Sequence, residues 1–160
     1  MLCQADIDAF KTILDPENGV AISSVLTDDE ARKSHSIDWL QQYTTGFASV
    51  VLKPSSVEEL SKVLRHCYDR KLAVVPQGGN TGLVGGATPI FDEVVISTGR
   101  MNTIHGFDPI NGVLTCDAGV VLEDAENYLR EQHQHSHTMP LDLGAKGSCH
   151  IGGNIATNAG

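Results

Sequence analysis

Eleven residues concentrate the chemistry this chain can offer. Pro76-Gln77-Gly78-Gly79-Asn80-Thr81-Gly82-Leu83-Val84-Gly85-Gly86 places five glycines directly after the apolar run Leu72-Ala73-Val74-Val75. A strand that runs into such a loop delivers bare backbone to one place. Without a Cβ the chain can turn sharply and let a ligand approach its amides. Successive N–H groups in such turns form a concavity suited to anions, phosphates above all. Asn80 and Thr81 add short side chains able to donate to phosphate or ribose oxygens. Two common phosphate loops are excluded. The P-loop ends in Gly-Lys-Ser/Thr, and no lysine stands here. The dinucleotide fingerprint G-x-G-x-x-G is absent too, since the glycines read Gly79-x-x-Gly82-x-x-Gly85. The competing reading is a glycine-rich hairpin tip that binds nothing.

A second stretch has the same character. Met139 to Gly160 is rich in Gly, Ser, Thr and Asn, with little charge and few bulky residues. Two long loops of this kind suggest two walls of one extended polar site. Other candidate chemistry is weaker. His133, His135 and His137 alternate as ligands on one strand face would, which suits a metal; the plainer reading is a polar turn after a helix. Ser148-Cys149-His150 puts a nucleophile beside a base, but triads are assembled from distant segments. Asp28-Asp29 and Glu58-Glu59 are charges suited to helix starts.

Pro76 to Gly86, together with Pro140 to Gly160, resembles the FAD-binding domain of the vanillyl-alcohol oxidase/PCMH-type flavoproteins. The order PQGGNTGLVGG, then PLDLGAKGSCHIGGNIATNAG, is most similar to the branch of D-2-hydroxyglutarate and D-lactate dehydrogenases. The resemblance covers residues 48–160. It implies an α+β fold: a PCMH-type FAD-binding domain of two small α/β subdomains, here C-terminally truncated, with the substrate domain absent. Residues 1–47 would be an N-terminal extension lying against it.

The resemblance also implies a site. Pro76, Gly78, Gly79, Asn80, Thr81 and Gly82 would face the FAD pyrophosphate. Gly119 would pass near the adenine or the pyrophosphate, with a plain strand-to-helix turn as an equal alternative. Pro140, Asp142, Gly144, Ser148, Gly152, Gly153, Asn154, Thr157 and Asn158 match the second cofactor-contacting stretch. There Ser148 and the adjacent amides would approach the isoalloxazine. Many relatives tether the flavin through a histidine in Gly-Gly-His wording. Asn80 stands at that position, and an amide nitrogen is a poor nucleophile, so the expectation is non-covalent FAD. Cys149 lies out of register with the cysteine tether of some relatives. The implied activity is oxidation of a small-molecule D-2-hydroxy acid, of the 2-hydroxyglutarate or lactate type, to the 2-oxo acid. The groups that would remove the hydroxyl proton, hold the carboxylate and bind a metal belong to the second domain, so no residue here is assigned a catalytic or metal role. The electron acceptor stays open. Alternatives are a cofactor-binding fragment without activity of its own, or a PCMH-type enzyme of different chemistry, such as an alkyl-transferring synthase or an enolpyruvyl reductase.

Composition agrees with one ordinary domain. The 160 residues are 41% hydrophobic and 19% charged, with a formal net charge of −9. That charge disfavours nucleic acid as a partner. The cysteines at 3, 67, 116 and 149 form no C-x-x-C pair and read as free thiols. No apolar run approaches a membrane span. The acidic start Met1-Leu2-Cys3-Gln4-Ala5-Asp6-Ile7-Asp8 has neither a secretory nor a mitochondrial leader pattern, so a cytoplasmic location is expected.

The elements that must carry the loops follow from periodicity. Ile7, Phe10, Ile13 and Leu14 recur at helical spacing before the turn cluster Asp15-Pro16-Glu17-Asn18-Gly19. Thr27-Asp28-Asp29-Glu30 has capping-box form, and Trp39, Leu40, Tyr43 and Phe47 are expected to pack this segment onto the domain. Ala48 to Leu52, a helix capped by Ser56 with Glu59 at N3, and Leu72 to Val75 read as a right-handed β-α-β unit. The helix stripe is Val57, Leu60, Val63, Leu64, Cys67 and Tyr68. Val94 to Ser97 is another strand, Asn111-Gly112 marks a hairpin, and Val121, Leu122, Ala125, Tyr128 and Leu129 form a second amphipathic helix that ends near Gln132. The chain is expected to end inside a glycine-rich loop, with the glycine stretches in the crevice between the subdomains.

Overall fold

Helix α1 (Gln4–Leu14) forms where the apolar spacing puts Ile7, Phe10 and Leu14 on one buried face. The computed structural model describes residues 1–15, 23–43, 45–132 and 136–160. The turn expected at 15–19 lies outside them from Pro16 on. Asp6 is buried and holds α1 in place. Its carboxylate accepts from the Cys3 amide at 3.0 Å, from His66 Nε2 at 2.9 Å and from Arg70 Nε at 2.8 Å. The last two residues belong to helix α3 (Val57–Arg70), so one carboxylate joins two helices. The Arg70 hydrogen bond outweighs burial and holds the Asp6 pKa well below the usual carboxylate range.

Strand β1 (Val25–Leu26) pairs antiparallel with β2 (Val50–Leu52). Helix α2 (Asp29–Ser36) lies between them, capped by Asp28, whose carboxylate accepts from Glu30 and Ala31 N–H. The sequence pointed to Thr27, but the carboxylate one residue later reaches both amides. Strands β3 (Val74–Gln77) and β4 (Val94–Ser97) complete a four-stranded sheet in the order β1-β2-β4-β3, with β2, β4 and β3 parallel. Every residue of β2 and β4 is buried, as central parallel strands covered on both faces require. One face packs Val50, Leu52, Val94 and Ile96 with Ile7, Phe10, Val63 and Cys67 of α1 and α3. Residues 1–47 thus contribute to the same core as the strands after them.

The α3 stripe is wider than the face it buries. Val63 and Cys67 are buried, whereas Val57, Leu64 and Tyr68 are exposed, because only one neighbour, the sheet with α1, covers the helix. Its cap also differs from the expected box. Ser56 Oγ accepts from Glu59 N–H, but Glu59 reaches back to Ser55 N–H. Trp39, Leu40, Tyr43 and Phe47 are likewise exposed rather than packed inside. Phe47 instead lies under the Arg32 guanidinium, 5.0 Å from the ring centroid.

The second unit is the hairpin β5 (Ile104–Asp108) and β6 (Val113–Cys116), with Gly112 at φ +66° in the Asn-Gly turn. Helix α4 (Leu122–Gln132) follows. The second glycine stretch does not remain a loop to its end. Ile151–Thr157 forms helix α5, closed by Asn158 in the left-handed region. Glycine is a poor helix former, so a sequence reading leaves this segment irregular. Tertiary contact supplies what propensity lacks: Ile151 N–H donates to Val120 O at 2.9 Å and Gly152 N–H to Ala118 O at 2.8 Å. His133 and His135 lie outside the described residues; His137 stacks edge-on against Phe107. The whole is α+β, as the sequence indicates.

Candidate cofactor-binding site

Strands β3 and β4 run in the same direction and end at one edge of the sheet. The carboxyl ends of parallel strands are where open α/β sheets hold ligands. The first glycine loop leaves β3 there. Gln77, the last residue of β3, is buried at 2% exposure and acts as a clamp. Its Nε2 donates to His35 O at 2.9 Å and to Ala87 O at 2.7 Å, so the residue before the loop grips the residue where the loop returns. Asn80 takes φ +53°, and its Nδ2 donates to Ile37 O at 2.8 Å. Its side chain is therefore directed at the end of α2 and is not free for a phosphate, contrary to the sequence reading. Gly85 at φ +72° lies under the Tyr43 ring, where a Cβ would stand 2.7 Å from the ring.

With the loop clamped from inside, its backbone faces outward unpaired. Among the described residues, no N–H from Gly78 to Ala87 has a protein acceptor. The residues of this run are half-buried or exposed, so their amides stand open to water or to a ligand.

The glycines divide into two kinds. A Cβ at Gly79 would stand 1.8 Å from Ser148 O, so the two glycine stretches touch there backbone to backbone. A Cβ at Gly119 would stand 1.9 Å from Thr98 O, and one at Gly152 2.7 Å from Ala118 Cβ. These three glycines are needed for chain to meet chain. Gly82, Gly144 and Gly153 differ: a Cβ there would meet nothing within 4 Å, and none has a positive φ. The fold itself does not demand glycine at these positions. What they preserve is open space against bare backbone, the kind of cradle a diphosphate and its ribityl chain fill. Lys53, after β2, and Arg100, after β4, add positive charge at the same edge. Neither forms an ion pair among the described residues. Burial, with Arg100 nearby, lowers the Lys53 pKa. The donor set therefore fits FAD.

The remaining candidates take varied places. Pro76 is exposed on β3, and Thr81 is half-buried in the loop. Pro140 and Ser148 are exposed. Gly78 lies within reach of the His150 ring, 3.4 Å from its Cβ when a Cβ is built on Gly78. Asp142 pairs with Lys146 at 3.3 Å, next to α4. Asn154 is buried, with Nδ2 3.6 Å from Cys149 Sγ. Thr157 Oγ1 donates to Gly153 O at 2.9 Å, and Asn158 caps α5. The side chains of Asp142, Asn154 and Thr157 are thus engaged within their own stretch, and Asn158 closes the helix through its backbone N–H. Gln77 and His150 had no place among the sequence-based site residues. The one local cue for Gln77 was a polar residue closing an apolar strand.

A family model described as FAD binding domain matches residues 48–160. A D-2-hydroxyglutarate dehydrogenase of Danio rerio, named mitochondrial, is 50% identical over 157 residues, covering 98% of this chain and 27% of its own. A protein of Schizosaccharomyces pombe named as a mitochondrial D-lactate dehydrogenase is 48% identical over 161 residues, covering 99% of this chain and 30% of its own. This chain thus spans between a quarter and a third of the length of these relatives. The solved structure of alkyldihydroxyacetonephosphate synthase superposes with a TM-score of 0.80 at 18% identity, over 98% of this chain and 32% of that one, and shows the shared fold alone. The relatives' names overturn the cytoplasmic expectation and point to the mitochondrion. The acidic start that weighed against a leader lies in helix α1, where Asp6 is buried. No helix among the described residues is long and apolar enough to cross a membrane.

Proposed function

The chain belongs to the FAD binding domain family, and from that premise we propose that it supplies the cofactor-holding part of a flavin-dependent dehydrogenase acting on a D-2-hydroxy acid. The substrate is of the 2-hydroxyglutarate or lactate type, and the product is the 2-oxo acid. The observation that carries the reading is the run of unpaired amides from Gly78 to Ala87 at the carboxyl edge of the sheet, in contact with the second glycine stretch at Gly79 and Ser148. Support for the substrate class comes from about half-identical relatives named for those acids. The synthase of the same fold is far more distant in sequence.

Bound FAD supplies the acceptor for the hydride that leaves the hydroxyl-bearing carbon. This chain's residues bind and orient. The amides of Gly78 to Gly82 donate to the diphosphate, each charge-assisted bond contributing roughly 1.5–3 kcal/mol. Gly119 lets the chain after β6 close on Thr98, and Gly152 lets α5 close on Ala118. Ser148 and the backbone around it form the facing wall.

Two measurements test this. Titration of the purified chain with FAD should quench flavin fluorescence saturably. A chimaera in which this chain replaces the matching part of the Danio rerio relative should reduce a dye acceptor with D-2-hydroxyglutarate or D-lactate. A folded, FAD-loaded chimaera inactive with both acids would defeat the substrate assignment and leave FAD binding standing.

A further inference from the structure

The residue after β3, the turn after β4 and the start of α5 converge on one side chain, His150. A Cβ built on Gly78 would stand 3.6 Å from its Nδ1, and one built on Gly99 3.7 Å from its Cε1. Thr98 Oγ1 lies 3.5 Å from Nδ1, at the outer limit of a hydrogen bond. Nε2 has no partner among the described residues. A half-buried imidazole with so little satisfaction is unusual, since buried polar groups are normally paired. The place is the carboxyl edge of the parallel sheet, against the backbone of the loop whose amides are unpaired.

We propose that His150 is a binding residue of the cofactor site, donating a hydrogen bond from its imidazole to the cofactor's diphosphate. The inference rests on the FAD reading above and deepens it. Among the described residues no tyrosine, lysine or carboxylate is hydrogen-bonded to the ring. Gly78 approaches from the end of β3, Thr98 and Gly99 from the β4 turn, Val121 pairs with its backbone from the α4 side, and Asn154 N–H donates to its carbonyl oxygen. Arg100, next to Gly99, is exposed and bonded to Ser24 Oγ. Burial alone lowers the His150 pKa from its ordinary value. Burial thus favours the neutral ring in the free protein. A diphosphate beside it, with one negative charge on each phosphate, favours the imidazolium and raises that pKa. Cofactor binding then takes up a proton, and affinity rises as pH falls through the window between the lowered free and raised bound values.

The test uses the 160-residue chain with two probes, FAD and riboflavin, the second lacking phosphate. The FAD affinity of the wild type should rise several-fold between pH 8 and pH 6, up to about tenfold for each unit by which the ring's pKa rises. Riboflavin affinity should stay level. His150→Gln should bind FAD several-fold more weakly at pH 6 and lose the slope. The proton resonance of His150 Cε1, followed by NMR in the wild type, gives the same answer without a variant: its titration midpoint should move up when FAD is present. An unmoved midpoint, or an equal slope in His150→Gln, overturns the inference while FAD binding stands. Absence of FAD binding at every pH overturns the cofactor reading and this inference together.

Discussion

Gly79 and Gly82 look alike in the sequence, three residues apart in one loop, yet the structure predicts opposite consequences for placing alanine at each. At Gly79 the new Cβ would stand 1.8 Å from Ser148 O, 2.8 Å from Ser148 C and 3.1 Å from Cys149 Cα. Non-bonded heavy atoms settle at about 3.5 Å, so the two backbones must part by roughly 1.5 Å. Both neighbours are main chain and cannot rotate aside. Overpacking of this kind costs about 1–3 kcal/mol, and the upper end applies where nothing flexible yields. For a domain of this size about 3 kcal/mol lowers Tm by roughly 6–12 °C. At Gly82 a Cβ would meet nothing within 4 Å, and φ is not positive. Alanine there restricts the unfolded chain and should raise stability by about 0.4–1 kcal/mol. It should also put a methyl group over the unpaired amides and weaken FAD at least several-fold. The assay is a thermal melt of each variant without cofactor, followed by FAD titration at a temperature where all are folded. A Gly79→Ala protein that melts with the wild type would refute the contact between the glycine stretches. A Gly82→Ala protein that binds FAD as the wild type does would refute the cradle at that position.

Asp6→Asn should destabilise the chain by about 2–4 kcal/mol at neutral pH, because it removes the charge from a buried carboxylate that Arg70 and His66 face. The Asp6 carboxyl is held below its unfolded value, so its contribution is complete above the unfolded pKa of about 4 and fades as pH falls below it. The gap between the urea midpoints of the two proteins should therefore narrow steadily as pH falls from 4 to 2, and a gap that stays constant would contradict this assignment. FAD bound to the chain should be released by acid precipitation, since Asn80 offers no nucleophile and its amide is bonded to Ile37 O. Yellow colour retained in the pellet, with a flavin-peptide mass after digestion, would show a covalent link.

The sequence by itself determined the elements whose signals are local. Helices α1, α3 and α4 follow from apolar spacing, the β5–β6 hairpin from Asn-Gly, and the strand before the glycine loop from the apolar run Leu72 to Val75, which the structure shifts to Val74–Gln77. The wording of the two glycine stretches was specific enough to indicate the family and FAD. What the sequence could not rank were residues whose meaning lies in what they approach. A glycine has no side chain to report whether it makes room for Ser148, as Gly79 does, or for a ligand, as Gly82 is proposed to. Asn80 reads as a phosphate donor until its amide is seen on Ile37 O. Helix α5 contradicts its own propensities because Ala118 and Val120 supply acceptors from another part of the chain. Gln77 and His150 matter through partners far away in sequence, His35 and Ala87 for one, Gly78 and Gly99 for the other. Periodicity and capping depend on neighbours three or four residues apart and so are written along the chain. Close backbone approach and the clamping of a loop depend on the meeting of distant segments, and only the tertiary structure decides those.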